Sequence, residues 1–328
     1  MNKDIYIKPI DNKDDWDKYT NQCINFNIYH LFEWGEYKKT SWQIARLAVF
    51  KNESLLGCVQ ITYKNKFKFL LGWCSGGIAL KNYKYLNDIA TNVKDYFSNY
   101  RHCIRVNFFD NATGTNSFTV DNCSILKPIK NSINSGYTVR FEINNDTDIL
   151  KNMSYNNRYY YKQSLINDLI FKRETVDPET FTTLHNSMAQ TKGMENLTIS
   201  SEEIKKLLKI YGDILQMYSV YNHDELLSSC LIFKFKKYAY YYLAGSNEKG
   251  RKFHASFFMV KELLELLKSE EITNFDFSGI TPFKSEAFGV NRFKIGFGGE
   301  IIKYIGEREI YNSKLMKYTL NKLVKRLN

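Results

Sequence analysis

The sequence predicts an α+β protein made of two tandem units of the same kind that share a cleft. Three observations lead there. A chain of 328 residues with 44% apolar side chains holds enough material for two cores of ordinary size. Strand-like and helix-like periods follow one another in the same order in each half. Finally, corresponding residues keep one offset: Val49 and Val220, Leu55 and Leu226, and Ile104 and Phe275 are each 171 positions apart (220−49, 226−55, 275−104). A tandem duplication explains this most economically.

In the first half, Leu47 to Phe50 and Leu55 to Tyr63 read as strands about the polar turn Lys51 to Ser54, and Lys66 to Leu71 is another strand. After a glycine-containing loop, Leu86 to Phe97 has helical apolar spacing and Cys103 to Val106 is a short buried strand. The second half runs through Tyr218 to Tyr221, the turn Asn222 to Glu225, Leu226 to Phe235, Tyr238 to Leu243, a helix near His254 to Lys268, and Asn274 to Phe277. Between the halves, Asn144 to Leu169 is polar and reads as helical, and Asp177-Pro178-Glu179 opens a further helix, since proline suits a first helical position. The boundary therefore falls near residue 145, giving units 1–145 and 146–328. A terminal amphipathic helix, Asn312 to Leu327, sets Leu315, Thr319, Leu323 and Leu327 on one face and Lys314, Lys317, Lys322, Lys325 and Arg326 elsewhere.

With 46 Lys+Arg against 35 Asp+Glu, the formal charge of +11 favours a polyanionic partner such as tRNA, coenzyme A, a nucleotide-sugar or anionic lipid. No apolar run approaches the roughly 20 residues that span a bilayer, and the start MNKDIYIKPIDNKDDW lacks the apolar core of a secretory signal. The expected place is the cytoplasm, with a nucleic-acid role or peripheral contact at the inner membrane face as the alternative to simple docking of the basic terminal helix. Cys23, Cys58, Cys74, Cys103, Cys123 and Cys230 are scattered among apolar neighbours and read as buried free thiols. His30, His102, His185, His223 and His254 show no ligand spacing, so no metal site is expected.

The chemistry-bearing residues concentrate late in the chain. Phe275-Asp276-Phe277-Ser278-Gly279-Ile280 is a strand ending in Ser-Gly, and Gly289 to Glu300 follows with Arg292 and Lys294 among glycines. Backbone N–H groups and two cations near a strand end suit an anionic ligand, while turn glycines and a solvated basic edge would look the same. The loop Ala244 to Arg251, with Gly245, Ser246 and Arg251, runs into the helix near His254 and forms a candidate phosphate cradle, although a helix entry uses such residues anyway. Tyr238, Tyr240, Tyr241 and Tyr242, and Tyr159 to Tyr161, could stack on a base or sugar or simply build a core; Arg158 and Lys162 add a basic edge.

Taken together, Glu33-Trp34-Gly35-Glu36-Tyr37-Lys38-Lys39, Tyr242-Leu243-Ala244-Gly245-Ser246, the Phe275 to Ile280 strand and Arg292-Phe293-Lys294-Ile295-Gly296-Phe297-Gly298-Gly299-Glu300 resemble the FemABX family of peptidoglycan-bridge aminoacyltransferases. The resemblance implies two tandem GNAT-like domains and transfer of an amino acid from aminoacyl-tRNA to an amine of a muropeptide precursor. It also implies that Phe293 and Lys294 handle the aminoacyl-tRNA acceptor end and the developing oxyanion, and that Lys38 binds the acceptor's phosphates. Three departures qualify the acceptor: Thr191 to Ser200 lacks an arginine found in one branch, Asn107 stands where that branch has an acid, and no heptad pattern marks a long coiled-coil arm. Broader relatives with BioF2-like acetyltransferase domains make acyl-CoA the alternative donor.

Amine attack on an ester needs a neutral amine, near-attack geometry and charge stabilisation, and no covalent intermediate. Asp276, Asp110 and Glu300 are all open as proton acceptor. Trp34, Lys38, Arg292, Gly245, Ser246, Arg251 and His254 are the expected binding residues; aminoacyl-tRNA is the expected co-substrate, with no bound cofactor. Three readings stand in order: an aminoacyl-tRNA-dependent transferase acting on a cell-envelope precursor such as a nucleotide- or lipid-linked amino sugar, an acyl-CoA-dependent N-acyltransferase acting on an amino sugar or small amine, and a non-catalytic RNA-binding protein.

Overall fold

The computed structural model of the chain describes residues 5–191, 193, 197–283 and 287–327. In its first stretch, β1 (Ile5–Pro9), α1 (Lys13–Thr20) and α2 (Phe32–Lys38) precede a long hairpin of β2 (Gln43–Lys51) and β3 (Ser54–Lys66). Asn52 and Glu53 at its tip both have positive φ, the two-residue turn whose twist matches the flanking strands. β4 (Phe69–Cys74) and β5 (Ile78–Leu80) both pair with β3. α3 (Leu86–Tyr96) buries Leu86, Ile89, Ala90 and Val93 at helical spacing, and returns the chain to β6 (Arg101–Asn111), parallel to β4. α4 (Thr115–Asp121) and β7 (Lys127–Pro128) follow.

The second stretch holds β8 (Tyr137–Glu142), α5 (Ile149–Asn152), α6 (Tyr155–Ser164), β9 (Leu169–Arg173), α7 (Pro178–Thr191) and α8 (Ser201–Tyr211). Then the pattern repeats: hairpin β10 (Leu215–Asn222) and β11 (Glu225–Phe235), β12 (Tyr238–Ser246), α9 (Glu248–Lys252), α10 (Ala255–Ser269), β13 (Asn274–Ile280) and α11 (Phe288–Ile295). β14 (Glu300–Tyr311) and α12 (Lys314–Leu327) end the chain. The repeat extends to a defect: β2 bulges against β3 between Val49 and Phe50, and β10 against β11 between Val220 and Tyr221. Their partners Gly57 and Ser228 keep the same spacing (228−57 = 171).

The chain divides into two compact units, one up to Gly136 together with the chain from Lys303, the other Tyr137–Ile302. This corrects the expected boundary near residue 145 and moves the terminal helix into the first unit. The cause is strand pairing: β14 lies antiparallel on β6 and β8 antiparallel on β13, so each sheet is closed by a strand from outside its own copy of the repeat. A periodic pattern specifies that a strand exists, whereas its partner is chosen by long-range packing.

Each core sits between sheet and returning helix. α10 buries Ala255, Met259, Val260, Leu263, Leu264 and Leu267 against the second sheet, each large apolar side chain stabilising by about 1.5–3 kcal/mol. All six cysteines are buried thiols, and burial pushes that of Cys74 up to about 12. α12 buries Met316, Leu320 and Val324 beside Cys103. That corrects the expected face: Leu315 is 57% and Leu323 45% exposed, and the side chain of Leu327 lies outside the described residues. Among the described residues the longest helix, α10, has 15 residues, and no helix is long and apolar enough to cross a membrane.

The two units differ where their parallel strands meet. β4 and β6 stay paired through six residues, Phe69 to Cys74. β12 and β13 pair only from Tyr238 to Tyr240; beyond Asp276 the partner strand bulges, continues along β8 and leaves β12. The second unit is therefore splayed on the β12 side of the carboxyl end of β13, where the edge facing β12 has no strand partner while the other edge stays paired with β8.

Candidate active site

The splay is organised by Asp276. Its Oδ1 accepts from Thr138 Oγ1 (2.5 Å) and the Ser278 backbone N (2.8 Å), and its Oδ2 accepts from Arg140 Nε (3.2 Å). These bonds hold Ser278 in the left-handed region (φ 62°), a conformation costing about 1–3 kcal/mol for a residue with a side chain. The turn presents Ser278 Oγ and Gly279 O to Lys294 Nζ at 3.1 and 2.9 Å. Lys294 is only 8% exposed, so its ammonium is positioned inside the protein.

Lys294 lies on α11, so the basic segment among glycines folds as a short helix. The glycines serve the ends of that helix. Gly296 lies against Asn157, whose Oδ1 would be 2.4 Å from an added Cβ, and Asn157 Nδ2 donates to Phe293 O at 3.0 Å. The Phe293 ring packs on Phe257 (5.0 Å) and Phe297 (5.1 Å). Thus the predicted Asp276, Phe293 and Lys294 come together, held by Ser278 of the strand end read from sequence and by Thr138, Arg140 and Asn157, which were not singled out from sequence. Arg292 is exposed on the same helix, and Glu300 is exposed at the start of β14.

The glycines of the predicted phosphate cradle are closely packed. A Cβ on Gly245 would lie 2.6 Å from His185 N, because α7 packs directly on β12 there, and a Cβ on Gly250 would meet Leu227 O at 2.3 Å. Ser246 Oγ donates to Leu227 O (3.2 Å), and Arg251 Nη1 to Ser246 O (3.0 Å). Gly245, Ser246 and Arg251 are engaged in closing the chain on itself. His254 caps α10 in the left-handed region, with its ring 4.8 Å from that of Tyr160. Partial burial holds its imidazole below the ordinary value. Gly245→Ala is expected to destabilise the protein by about 1–3 kcal/mol through overpacking, read as a lowered midpoint in urea; an unchanged midpoint would show that α7 can shift.

The first unit contains a cavity of about 660 Å³ lined by Tyr29, Trp34, Trp42, Trp73, Asn107, Phe109 and side chains of α12. Trp34 meets Tyr29 edge to face (4.8 Å), and Tyr29 stacks on Phe109 (5.0 Å). Trp34 Nε1 is buried with no hydrogen-bond partner among the described residues. Lys38 Nζ lies 4.7 and 4.5 Å from the rings of Trp34 and Tyr37, a cation–π pairing that keeps its charge beside the cavity wall. So Trp34 and Lys38 also meet, joined by aromatics that were not predicted. The available signal was the distribution of tryptophan: all four fall in the first 73 residues. Asp110 stands on the other side of β6, near Asn25 Nδ2 (3.5 Å), since side chains alternate and Asn107 and Phe109 face the cavity.

Beneath this cavity Arg105, fully buried, bonds Glu307 (2.6 Å), Glu309 (2.9 Å) and Asn321 of α12 (3.3 Å). The other oxygen of Glu307 accepts from Ser132 Oγ and from the backbone N of Ile133 and Asn134, which form part of the cavity wall. Charge alternating along a buried strand was the missed clue.

A family model described as the FemAB family matches residues 141–326, which is 186 of 328 residues. The chain belongs to the FemAB family. The matched stretch of this FemAB-family chain includes Asp276, Phe293 and Lys294. Among solved structures it is similar to FemX, with a TM-score of 0.83, 17% identity, and 96% of this chain and 100% of that chain covered. It is also similar to L-PGS from Bacillus licheniformis (TM-score 0.57, 10% identity, 96% of each chain). A tandem GNAT protein from the clavulanic acid biosynthesis pathway matches at TM-score 0.54 and 7% identity, over 94% of this chain and 98% of that one. These likenesses are of fold: the FemAB-family chain shares the fold of FemX and of that tandem GNAT protein. Comparison with curated proteins finds no match. Of the segment Thr191 to Ser200, in which an arginine is lacking, Lys192, Met194, Glu195 and Asn196 lie outside the described residues.

Proposed function

We propose that this FemAB-family chain is an aminoacyltransferase that moves an amino acid from aminoacyl-tRNA to an amine of a cell-envelope precursor. The observation that carries this reading is the buried Lys294 ammonium, fixed by Ser278 Oγ and Gly279 O beside Phe293 at the splayed end of β13. In the reaction the amine nitrogen bonds to the ester carbonyl carbon, the carbon–oxygen bond to the ribose breaks, and the amine proton ends on the departing ribose oxygen. Negative charge gathers on the carbonyl oxygen meanwhile. A preorganised cation stabilises that charge without reorienting as it forms. Asp276 already accepts from three donors, so its role is to position Ser278 and through it Lys294.

Acceptor binding is assigned to the aromatic cavity of the first unit. Flat rings suit a sugar or base, and Lys38 and Arg326 bring positive charge for a phosphate-linked precursor. Trp73→Ala is accordingly expected to raise the acceptor KM about tenfold with little change in kcat, measured by steady-state kinetics with saturating donor. A large fall in kcat with KM unchanged would remove the cavity from acceptor binding.

The opening between β12 and β13 also favours a second reading, in which acyl-CoA is the donor. Against it, the loop that would cradle the pyrophosphate is packed shut at Gly245 and Gly250. The test offers the protein a pool of charged tRNAs or, separately, acyl-CoAs, together with cell-envelope precursor extract, and follows label transfer by mass spectrometry. Transfer from tRNA is expected. Transfer from acyl-CoA alone would overturn the aminoacyltransferase reading.

A further inference from the structure

One face of α6 is not absorbed by the chemistry above. Tyr155, Arg158, Tyr159 and Lys162 recur at the spacing that stacks side chains on a single helix face, while Asn157, Tyr161 and Ser164 bury the opposite one. With Lys151 and Asp148 they line a concavity of about 550 Å³. Tyr155 is 77% and Tyr159 49% exposed, an unusual placement for two large rings without a partner to cover them. Three cations face the concavity against one carboxylate, and that carboxylate is occupied in capping α5, accepting from Lys151 N at 2.9 Å.

We propose that this face binds the unpaired, stacked nucleotides at the 3′ end of an RNA, a proposal that rests on the donor reading above. Cations interleaved with exposed aromatics are what single-stranded nucleic acid requires, because phosphates need neutralising and each base offers a ring face. The position fits as well. α6 is the helix whose Asn157 holds Phe293 O, and rings run inward from the surface: Tyr159 to Tyr160 at 5.5 Å, Tyr160 to Phe257 at 4.9 Å, Phe257 to Phe293 at 5.0 Å. An RNA end stacked on Tyr155 and Tyr159 therefore lies on the helix that supports the residue beside Lys294. A lipid surface is the less suitable occupant, since the site is concave and its apolar lining is two exposed tyrosines with a single half-buried leucine, Leu150, rather than an aliphatic patch.

The full-length protein is titrated by fluorescence anisotropy with a labelled, uncharged RNA hairpin carrying an unpaired 3′ end and with the same hairpin made blunt. Wild type should prefer the unpaired end. Tyr155→Ala/Tyr159→Ala should weaken that binding about tenfold or more, Tyr155→Phe/Tyr159→Phe should retain it, and Arg158→Glu/Lys162→Glu should weaken it while flattening its salt dependence. Equal affinity of wild type for the two hairpins, or an alanine variant that binds like wild type, would overturn the proposal. So would variants that lose binding to anionic phospholipid vesicles while keeping RNA binding, which would reassign the face to a membrane. Transfer from charged tRNA, measured on the same preparations, reports separately on the donor reading, so that reading can fail or stand whatever the anisotropy shows.

Discussion

Lys294→Met is expected to lower kcat for amide formation by roughly 10²–10³-fold, the usual loss when one preorganised oxyanion donor is removed, while donor and acceptor KM change little. Methionine keeps the unbranched stem and deletes the charge. The substitution also leaves Gly279 O without the donor it has now, which costs about 1–3 kcal/mol of stability. Single-turnover kinetics with charged tRNA, paired with thermal unfolding, separates the two effects. A variant that unfolds earlier but turns over at the wild-type rate would make Lys294 a structural clamp and leave the chemistry unassigned.

Arg105→Met is expected to produce the largest stability loss, about 3–5 kcal/mol, or a fall in Tm on the order of 10 °C. The guanidinium is fully buried and faces two carboxylates that are themselves fully buried, so its removal takes the buried countercharge from both and leaves Glu309 with Asn321 and the more distant Lys317. Glu307→Gln should be milder, because an amide oxygen still accepts from the Ile133 and Asn134 backbone. Differential scanning calorimetry of both variants checks the order. If Arg105→Met unfolds near wild type, the carboxylates must have found water or protons, and the network would be peripheral to the stability of the first unit. The same variants should weaken acceptor binding, since Glu307 holds part of the cavity wall.

The amino-acid pattern alone determined the repeat, its offset and the identity of most elements, because apolar periodicity and turn chemistry are local properties. The Phe-Lys-Ile-Gly-Phe-Gly-Gly stretch and the strand before it were legible as a candidate site for a similar reason, since unusual residues stood together in sequence. Other features were not legible because the sequence leaves more than one solution open. In α12, Leu315, Thr319 and Leu323 recur at the same interval as Met316, Leu320 and Val324, and only packing on β4 and β6 decided which set is buried. Glycines at 245 and 250 suit either a phosphate or a neighbouring backbone, and only the structure shows α7 and β11 lying close against them. Tertiary structure alone also decided which strand closes each sheet, brought Arg105 to Glu307 and Glu309 across some 200 residues, and gathered three tryptophans around one cavity. Each of these depends on a long-range pairing whose energy comes from burial and desolvation, and a linear pattern does not record the partner.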